Sequence, residues 1–406
     1  MSSDARPSGA GDTRGWLTIL VLAAAGFSLG SDLYALPAVV PFIARDLQLQ
    51  VSVVALTLTI YGALVAVAAP PLTVLTRSID RRTLLLAAMV LLVVTNLLTA
   101  ATPNLPWLFG TRVLAAVAAA ILAPIRTATA GQLAPGGARA RGVGIATAGL
   151  SAALLVGAPL GLVVAQTLGW RVAFVASAVV ALVVLVAMLA AVPSVPAPGR
   201  SNLGAQVAML GSGRFLVCLL SNVAALCANY VLLPFLVPIV QHLTTFGGAG
   251  VTLIFALYGA AGVLGGWAAG WAGDRLGTIP VMVGGLLVAA LGLAVLSLLF
   301  LAPGGASADV LLPVCVLLWS VGGWAYYALL LARLIELAPQ APAVAVSWSS
   351  PATFAGLSLG TFIGGLTLQA IGMSWLGWVG AALLVLAGAM VLSSRTPSAV
   401  LGRSPA

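Results

Sequence analysis

The sequence predicts an all-α membrane protein in which twelve transmembrane helices form two six-helix bundles. First, 62% of the 406 residues are hydrophobic and only 6% are charged, whereas soluble domains average about 25% charged residues. Second, the hydrophobic residues fall into twelve blocks, each close to the roughly 20 residues that a membrane-spanning helix needs. Third, segments of the first half recur in the second. So little charge excludes a soluble enzyme, a nucleic-acid binder and a disordered chain.

Charged, Pro-rich or Gly-rich points separate the blocks and delimit the predicted spans. The spans are 16–40, 52–75, 81–102, 105–127, 142–166, 170–192, 214–238, 248–272, 278–301, 308–335, 343–369 and 374–394. The polar stretch 193–213, rich in Pro, Gly and Ser, is predicted to be a cytoplasmic linker. It would join an N-terminal bundle (16–192) to a C-terminal bundle (214–394), with cytoplasmic tails at 1–15 and 395–406.

The arginines predict the orientation of the chain. All 17 basic residues are arginine, and they are scattered between apolar blocks instead of forming the basic patch of a nucleic-acid binder. With both termini cytoplasmic, Arg45 and Arg171 fall outside and Arg112 lies within a span. This bias follows the positive-inside rule, and one span more or fewer would scramble it. Fourteen arginines fall on the inner side: Arg6, Arg14, Arg77, Arg81, Arg82, Arg126, Arg139, Arg141, Arg200, Arg214, Arg275, Arg333, Arg395 and Arg403.

Two alignments indicate that the second bundle repeats the first. Tyr61-Gly62 in the second span and Tyr258-Gly259 in the eighth align without a gap at an offset of 197. The fifth and eleventh spans align at an offset of 203, where four residues are identical. Gly157, Gly161, Gln166 and Gly169 fall on Gly360, Gly364, Gln369 and Gly372. Parallel repeats of six spans are the layout of major-facilitator transporters.

The loop between the eighth and ninth spans resembles the signature loop of the major facilitator superfamily, G-x-L-A-D-R-x-G-R-K. Gly270, Asp274, Arg275 and Gly277 match this pattern. Gly270 would let two helices approach closely, Asp274 would cap a helix N-terminus, and Arg275 would bridge to a neighbouring helix. The loop is then expected to latch the cytoplasmic side shut in one state. A solvated tight turn is the alternative.

The corresponding loop of the first half, 73–82, departs from the pattern. Arg77 stands at the position of the acid and Asp80 at that of the second glycine, and the Arg81-Arg82 pair survives. Asp80 is expected to replace the missing acid one turn later. Alternatively, Asp80 and Arg81 only anchor the topology.

Asp32 and Arg112 are the charges that topology does not explain, and an ionisable side chain inside a bilayer indicates function. Arg112 begins a segment that resembles the family motif R-x-x-x-G, with Ala116 at the glycine position. Asp32 lies about eight residues, roughly 12 Å, from the predicted outer end of the first span. That depth is close to the depth of Arg112, so we expect the two to pair and the carboxylate to exchange a proton. A structural ion pair and a snorkelling Arg112 are the alternatives.

Two further segments carry a resemblance to one branch of the superfamily. Gly157-Ala158-Pro159-Leu160-Gly161, followed by Gly169-Trp170-Arg171 and Phe174, resembles the fifth-helix antiporter motif and the "GWR-x-x-F" of bacterial exporters. The end of the first span, 36–47, looks like the "LLP-x-IA-x-DL" exit of drug:proton antiporters of the chloramphenicol-resistance and arabinose-efflux-like type. The resemblance implies export by antiport, with Gly157 and Gly161 packing against the eighth span and Pro159 bending the helix.

Polar and aromatic residues within the spans are candidates for lining a substrate cavity. An aromatic ring at mid-helix can stack on a planar or cationic molecule, although such residues more often pack the core or anchor a helix at the membrane interface. The candidates are Tyr34, Asn222, Asn229, Tyr230, Trp324 and Tyr327.

The predicted function is a secondary active transporter of a bacterial cytoplasmic membrane, not an enzyme. It would export a small amphipathic drug, antibiotic or metabolite in exchange for protons, by alternating access. Its expected partners are the substrate, protons and the lipid bilayer, without nucleic acid and with the chain acting as a monomer. No cofactor or metal is expected, since His242 is the single histidine. The alternatives are a sugar or organic-acid facilitator or importer, and a non-transporting sensor or scaffold of the same fold.

Overall fold

A computed structural model of the chain describes residues 9–76, 78–195, 209–301 and 305–394. Within these ranges, twelve helices are long and apolar enough to cross a membrane, which confirms the predicted fold class. The described chain is helical almost throughout, because a helix satisfies its own backbone hydrogen bonds where a bilayer offers no water. The predicted tail 395–406, most of the predicted linker 193–213, Arg77 and residues 1–8 lie outside the described residues.

Twelve helices are numbered along the chain, and three of them contain an irregular turn. They are α1 (Gly9–Asp46), α2 (Val51–Leu75), α3 (Arg81–Ala100), α4 (Leu105–Leu133), α5 (Arg139–Ala152, a π turn Ala153–Gly157, and Ala158–Thr167), α6 (Trp170–Ala191), α7 (Gly213–Leu232, a 3-10 turn Leu233–Phe235, and Leu236–Leu243), α8 (Gly248–Leu276), α9 (Thr278–Leu298), α10 (Ala306–Leu337), α11 (Pro342–Ser347 and Ser349–Ala370) and α12 (Leu376–Ser393).

α1 is longer than its predicted span. It begins at Gly9, inside the predicted tail, and continues through Pro37 and Pro41 to Asp46. Neighbouring helices can satisfy the backbone groups that a proline frees, so a membrane helix tolerates proline better than a soluble one. Asp32 therefore lies fourteen residues before the end of α1, roughly 21 Å along the helix, and deeper than the sequence predicts.

The helices pack as two bundles that meet along three seams. In the first half, α1 packs against α2, α4, α5 and α6, and α3 packs against α4 and α6. In the second half, α7 packs against α11 and α12, while α10 packs against α8 and α9. Between the halves, α2 packs against α11, α8 against the later part of α5, and α1 against the later part of α7. The first two seams are related by the internal repeat, since α2 corresponds to α8 and α5 to α11.

We call the end of the molecule that holds the loops after α1, α3, α5, α7, α9 and α11 the odd-loop end, and the opposite end the even-loop end. At the odd-loop end, two glutamines join the halves. The Gln369 side chain donates a hydrogen bond to Ser52 Oγ at 2.8 Å, and the Gln166 side chain donates to the carbonyl oxygen of Gly248 at 3.1 Å. The glutamines occupy matching repeat positions, so the same contact closes both seams.

The even-loop end is open between the bundles. A cleft of about 670 Å³ is lined there by one face of α5, from Arg139 to Ser151, and by Leu331 of α10. The later part of α5 packs against α8 instead. A groove of about 600 Å³ also lies between α2 and α11 at the odd-loop end, but there the two glutamines bond across both seams. The halves are therefore joined at the odd-loop end, as expected for one state of an alternating-access transporter.

Replacing both glutamines, Gln166→Ala with Gln369→Ala, should favour opening of the odd-loop end. An interhelical hydrogen bond in a membrane averages about 0.6 kcal/mol, so losing two shifts the balance by about 1 kcal/mol, or roughly fivefold. Spin labels at Leu168 and Ala249, both exposed beside the α5–α8 seam, report the opening as a longer inter-label distance.

The matched control is Gln48→Ala, since Gln48 also lies at the odd-loop end but bonds to the carbonyl oxygen of Arg45 in its own segment. An unchanged distance distribution in the double variant would contradict a role for the glutamines in closure.

Candidate functional site

A buried ion pair lies inside the first bundle. Arg112 Nη1 is 3.2 Å from Asp32 Oδ1, and the two side chains are 0% and 2% exposed. Arg112 Nη2 donates a hydrogen bond to Thr99 Oγ1 at 2.5 Å, and the guanidinium lies 5.4 Å from the ring centroid of Phe174. Residues of α1, α3, α4 and α6 therefore converge on one guanidinium. The structure brings together the two charges that the sequence places at similar depths.

The phenol of Tyr61, on α2, completes the surroundings of this pair. In the internal repeat it corresponds to Tyr258, whose hydroxyl bonds to Asn229 at the position matching Asp32, and its own hydroxyl is buried with no hydrogen-bond partner among the described residues. A buried charge that loses its partner is strongly destabilised. Adding a proton to Asp32 would therefore change what holds Arg112, which is the property that a proton-coupled switch requires.

The exit of α1 and the start of α6 form a second cluster, at the odd-loop end. Arg171 Nη1 pairs with the carboxylate of Asp46, and Arg171 Nη2 donates to the carbonyl oxygen of Thr102 at 3.1 Å. The Trp170 indole donates to Asp46 Oδ2 at 3.3 Å. The two exporter-like segments are thus in contact, although the sequence reasoning considered each alone. Both segments have fixed positions in the family patterns, and this feature of the sequence could have predicted their contact.

The glycines of the α5 motif face α1, not α8. A Cβ on Gly157 would lie 2.8 Å from Ser31 Oγ, and one on Gly161 would lie 2.9 Å from the Ala35 Cβ. The predicted packing of these glycines against the eighth span is therefore wrong. Gly259 of α8 makes the close approach instead, at the backbone of Leu154.

The π turn Ala153–Gly157 explains the difference. It lies directly before Pro159, whose nitrogen cannot donate a helical hydrogen bond. A π turn adds a residue to one turn of the helix, so the faces that follow are rotated relative to a regular helix.

The signature-like loop after α8 does not form the predicted latch in this conformation. Arg275 lies over the ring of Trp271 in its own helix, 3.8 Å from the centroid, and not against a neighbouring helix. Asp274 makes no salt bridge within the described ranges. A Cβ on Gly270 would meet nothing within 4 Å, so Gly270 mediates no close helix approach here. Gly277 ends α8 with a φ of +88°, a conformation that favours glycine.

In the first half, Asp80 caps α3. Its carboxylate accepts hydrogen bonds from the backbone N–H groups of Arg82 and Thr83 and from Ser194 Oγ at 2.8 Å. The bond from Ser194, followed by the backbone bonds, lowers the pKa of Asp80 below its ordinary value. Arg81 donates to Gln132 Oε1 at 2.8 Å. These contacts remain within the first bundle, so in this conformation Asp80 and Arg81 do not join the halves.

Two arginines that the sequence assigns to the inner surface are buried. Arg126 is 2% exposed, and its Nη1 donates to the carbonyl oxygen of Ala146. Arg333 is 5% exposed, donating to the carbonyl oxygen of Ser394 at 2.5 Å and pairing with Glu336 at 2.9 Å. A long side chain near a helix end can turn inward to a backbone carbonyl, which a count of charges along the sequence does not detect.

The cavity candidates differ in exposure. Tyr34, Asn229, Trp324 and Tyr327 are half-buried, whereas Tyr230 is buried. Trp324 and Tyr327 make an edge-to-face contact, with centroids 5.6 Å apart.

The side-chain amide of Asn222 is engaged in hydrogen bonds between helices. Its amide donates to the Ser349 carbonyl oxygen at 3.3 Å and to Thr353 Oγ1 at 3.1 Å, which ties α7 to α11. Tyr258, which is not among the candidates, donates a hydrogen bond from its hydroxyl to one of them, at Asn229 Oδ1, with a distance of 2.8 Å. Its position in the repeat, matching Tyr61, was the available signal.

The sequence model of the family described as "Major Facilitator Superfamily" matches residues 20–341 of this chain. The chain belongs to the major facilitator superfamily. It is 29% identical, over 378 residues, to an uncharacterized MFS-type transporter of Bacillus subtilis (strain 168), YtbD, covering 92% of this chain and 94% of the relative. It is therefore a secondary transporter and a multi-pass membrane protein.

Among solved structures, the transporter resembles the peptide transporter POT. A variant of that protein with bound sulfate superimposes with a TM-score of 0.76 at 17% identity, covering 92% of this chain and 93% of that one. The same variant with bound alafosfalin gives 0.76 at 16% identity. At these identities the likeness supports the fold and carries no substrate to this chain.

The side chains of the cavity candidates supply hydrogen-bonding phenols and amides, an indole and apolar surface. Within the described residues, no group of three or more His, Cys, Asp or Glu side chains could hold a metal ion. Asp32 and Arg112 neutralise each other. Such surroundings offer aromatic and amide groups for binding a small molecule, beside one buried carboxyl group.

Gly149 tests how the packing of α1 on α5 positions Asp32. A Cβ on Gly149 would overlap the carbonyl oxygen of Ala23 in α1, and backbone cannot move aside as a side chain can. Gly149→Ala should destabilise the folded transporter by about 1–3 kcal/mol, measured as a lower thermal unfolding midpoint in detergent.

Gly144→Ala, on the same helix, is the control, because a Cβ there meets nothing within 4 Å. That variant should be neutral, or more stable by up to about 1 kcal/mol, since alanine favours helix more than glycine does. Equal unfolding midpoints for the two variants would show that the close α1–α5 approach is not required.

Proposed function

We propose that this transporter exports a small amphipathic molecule from a bacterial cytoplasm in exchange for protons. The supporting observation is the Asp32–Arg112 pair. It is the one salt bridge among the described residues whose two partners are both buried. An intramembrane ion pair is costly to bury and is typically retained for function.

The proton moves through the pair as follows. A proton enters from the outside and binds a carboxylate oxygen of Asp32. The carboxyl group is then neutral, Arg112 loses its counter-charge, and the halves rearrange so that substrate leaves outward. On return to the inward state, the proton leaves Asp32 to the cytoplasm and the pair forms again. One proton enters and one leaves in each cycle.

The direction of transport follows from the orientation of the chain. Fourteen of the seventeen arginines fall on one side when both termini are cytoplasmic, so the even-loop end faces the cytoplasm and the odd-loop end faces outward. The state with an open even-loop end is then the one that loads substrate from the cytoplasm. The exporter-like segments ending at Asp46 and beginning at Gly169 support export over import.

The partners follow from the same arrangement. The transporter works as a monomer in the cytoplasmic membrane, with apolar side chains such as Val67 (74% exposed) and Leu253 (69% exposed) facing lipid. Its substrate is an aromatic or amphipathic drug, antibiotic or metabolite. Phenols and indoles can stack on such a molecule, and the scarcity of free charge between the bundles disfavours a strongly charged sugar phosphate or organic acid.

Asp32→Asn should abolish coupling, because the amide cannot release a proton. In inverted vesicles with an imposed proton gradient, the variant should transport ethidium at least about tenfold more slowly than the wild type, which corresponds to about 1.4 kcal/mol. Substrate exchange without a gradient should persist, since binding does not require the charge.

Asp309→Asn is the matched control. Asp309 is half-buried and accepts hydrogen bonds from Thr245 at the odd-loop end, far along the chain from the pair. It should retain gradient-driven transport. Transport by Asp32→Asn at the wild-type rate over the whole pH range would show that Asp32 does not couple the proton.

A further inference from the structure

The internal repeat extends to the residues around the ion pair. At the offset of 197 that aligns α2 with α8, Asp32 falls on Asn229 and Tyr61 on Tyr258. Each half therefore contains a tyrosine and, at a matching position, a side chain whose oxygen can accept a hydrogen bond. This side chain is a carboxylate in the first half and an amide in the second.

A third pair of equivalent positions lies on α4 and α10. Leu105-Pro106 and Leu312-Pro313 begin equivalent stretches of these helices, and their alignment places Arg112 on Trp319. In the first half, Arg112 holds Asp32. In the second half, Trp319 packs on the ring of Tyr258, with centroids 4.9 Å apart.

In the second half the residues at these positions are uncharged, and the tyrosine makes a hydrogen bond. The Tyr258 hydroxyl donates to Asn229 Oδ1 at 2.8 Å. Since no charge is present at these positions, the amide oxygen is free to accept this bond.

In the first half two of these residues are charged, and the corresponding hydrogen bond from the tyrosine is absent among the described residues. The Tyr61 hydroxyl is buried and has no hydrogen-bond partner among the described residues, although Tyr61 holds the repeat position from which Tyr258 bonds to Asn229, the counterpart of Asp32. Arg112 takes the carboxylate instead, with Nη1 at 3.2 Å and 3.5 Å from its two oxygens. A buried polar group without a partner is rare and calls for an explanation.

We propose that Tyr61 is a positioning residue for the protonated state of Asp32. This inference rests on the proposed proton coupling. When a proton neutralises Asp32, its carboxyl group resembles the Asn229 amide, turns from Arg112, and accepts the hydrogen bond of the Tyr61 hydroxyl. The added proton stays on one carboxyl oxygen while the other accepts the bond. When the proton leaves, Arg112 recovers the carboxylate and the Tyr61 hydroxyl is again unpaired.

The position of Tyr61 connects this exchange to the seam between the halves. Its ring packs edge-to-face on Phe354 of α11, with centroids 6.0 Å apart. The next residue, Gly62, approaches the Phe354 backbone so closely that a Cβ would lie 2.8 Å from its carbonyl oxygen. A change in what Tyr61 binds therefore acts on a side chain that already contacts the other half.

Several charged and titratable groups face α1. From its own helix and from α2 and α7 there are phenols, and the arginines of α4, α5 and α6 lie along its length. These groups are Tyr34, Tyr61, Tyr230, Arg112, Arg126 beside Gly26, Arg141 over Trp16, and Arg171 paired with Asp46. Tyr61 differs from the others in matching Tyr258 in the repeat and in having a buried hydroxyl without a hydrogen-bond partner among the described residues.

Tyr61→Phe removes only the hydroxyl and retains the ring on Phe354. The bond is made in the protonated state alone, so its loss should favour the deprotonated state. The half-maximal pH of gradient-driven ethidium transport should then move down by about one unit, since one hydrogen bond is typically equivalent to about that shift. The carboxyl stretching band of protonated Asp32, measured by infrared difference spectroscopy on the full-length reconstituted transporter, should move to higher frequency.

Tyr258→Phe is the matched control, because Tyr258 holds the same position in a half that lacks the acid. It should leave the half-maximal pH and the carboxyl band in place. Both variants are compared as monodisperse protein in size-exclusion chromatography. An unchanged pH profile and band in Tyr61→Phe, or an equal shift in Tyr258→Phe, would overturn the inference.

The infrared measurement separates this inference from the proposed function. A carboxyl band that is present in the wild type and absent in Asp32→Asn shows that Asp32 takes up a proton. If that band exists and Tyr61→Phe does not move it, only the role of Tyr61 fails. If the wild type shows no such band at any pH, proton coupling through Asp32 fails, and the inference fails with it.

Discussion

A charge buried in a bilayer needs a partner, and this constraint organises the first half of the molecule. Arg112 is fully buried and is held by Asp32, Thr99 and Phe174. These contacts come from α1, α3 and α6, so one guanidinium on α4 determines how four helices face each other. The charge that is expensive to bury is also the charge whose environment a proton can change.

The two halves share a fold and differ in chemistry. Gln166 and Gln369 close the two repeat-related seams in the same way, because closure needs symmetric contacts. The positions of Asp32 and Asn229 are equivalent, yet one carries a charge and the other a permanent hydrogen bond with Tyr258. The scaffold is thus symmetric, while at these positions the first half carries a buried ion pair and the second half a neutral hydrogen bond.

Much of this architecture was predictable, and the errors have physical causes. Twelve apolar blocks predict twelve helices because hydropathy reports directly on the bilayer. The helix faces were less predictable. Gly157 and Gly161 pack on α1 and not on α8, since the π turn before Pro159 rotates the faces that follow it. Arg126 and Arg333 turn inward to backbone carbonyls, which a charge count along the chain does not reveal.

The sequence by itself determined the number of spans, the repeat and the two charges that topology leaves unexplained, because these depend on composition, order and spacing along the chain. Only the tertiary structure decided which end of the molecule is closed, that the exit of α1 meets the start of α6 through Asp46 and Arg171, and that the buried Tyr61 hydroxyl is left without a hydrogen-bond partner among the described residues. These are properties of contacts between residues far apart in the chain. Periodicity places each residue on its own helix, but packing decides what that residue touches.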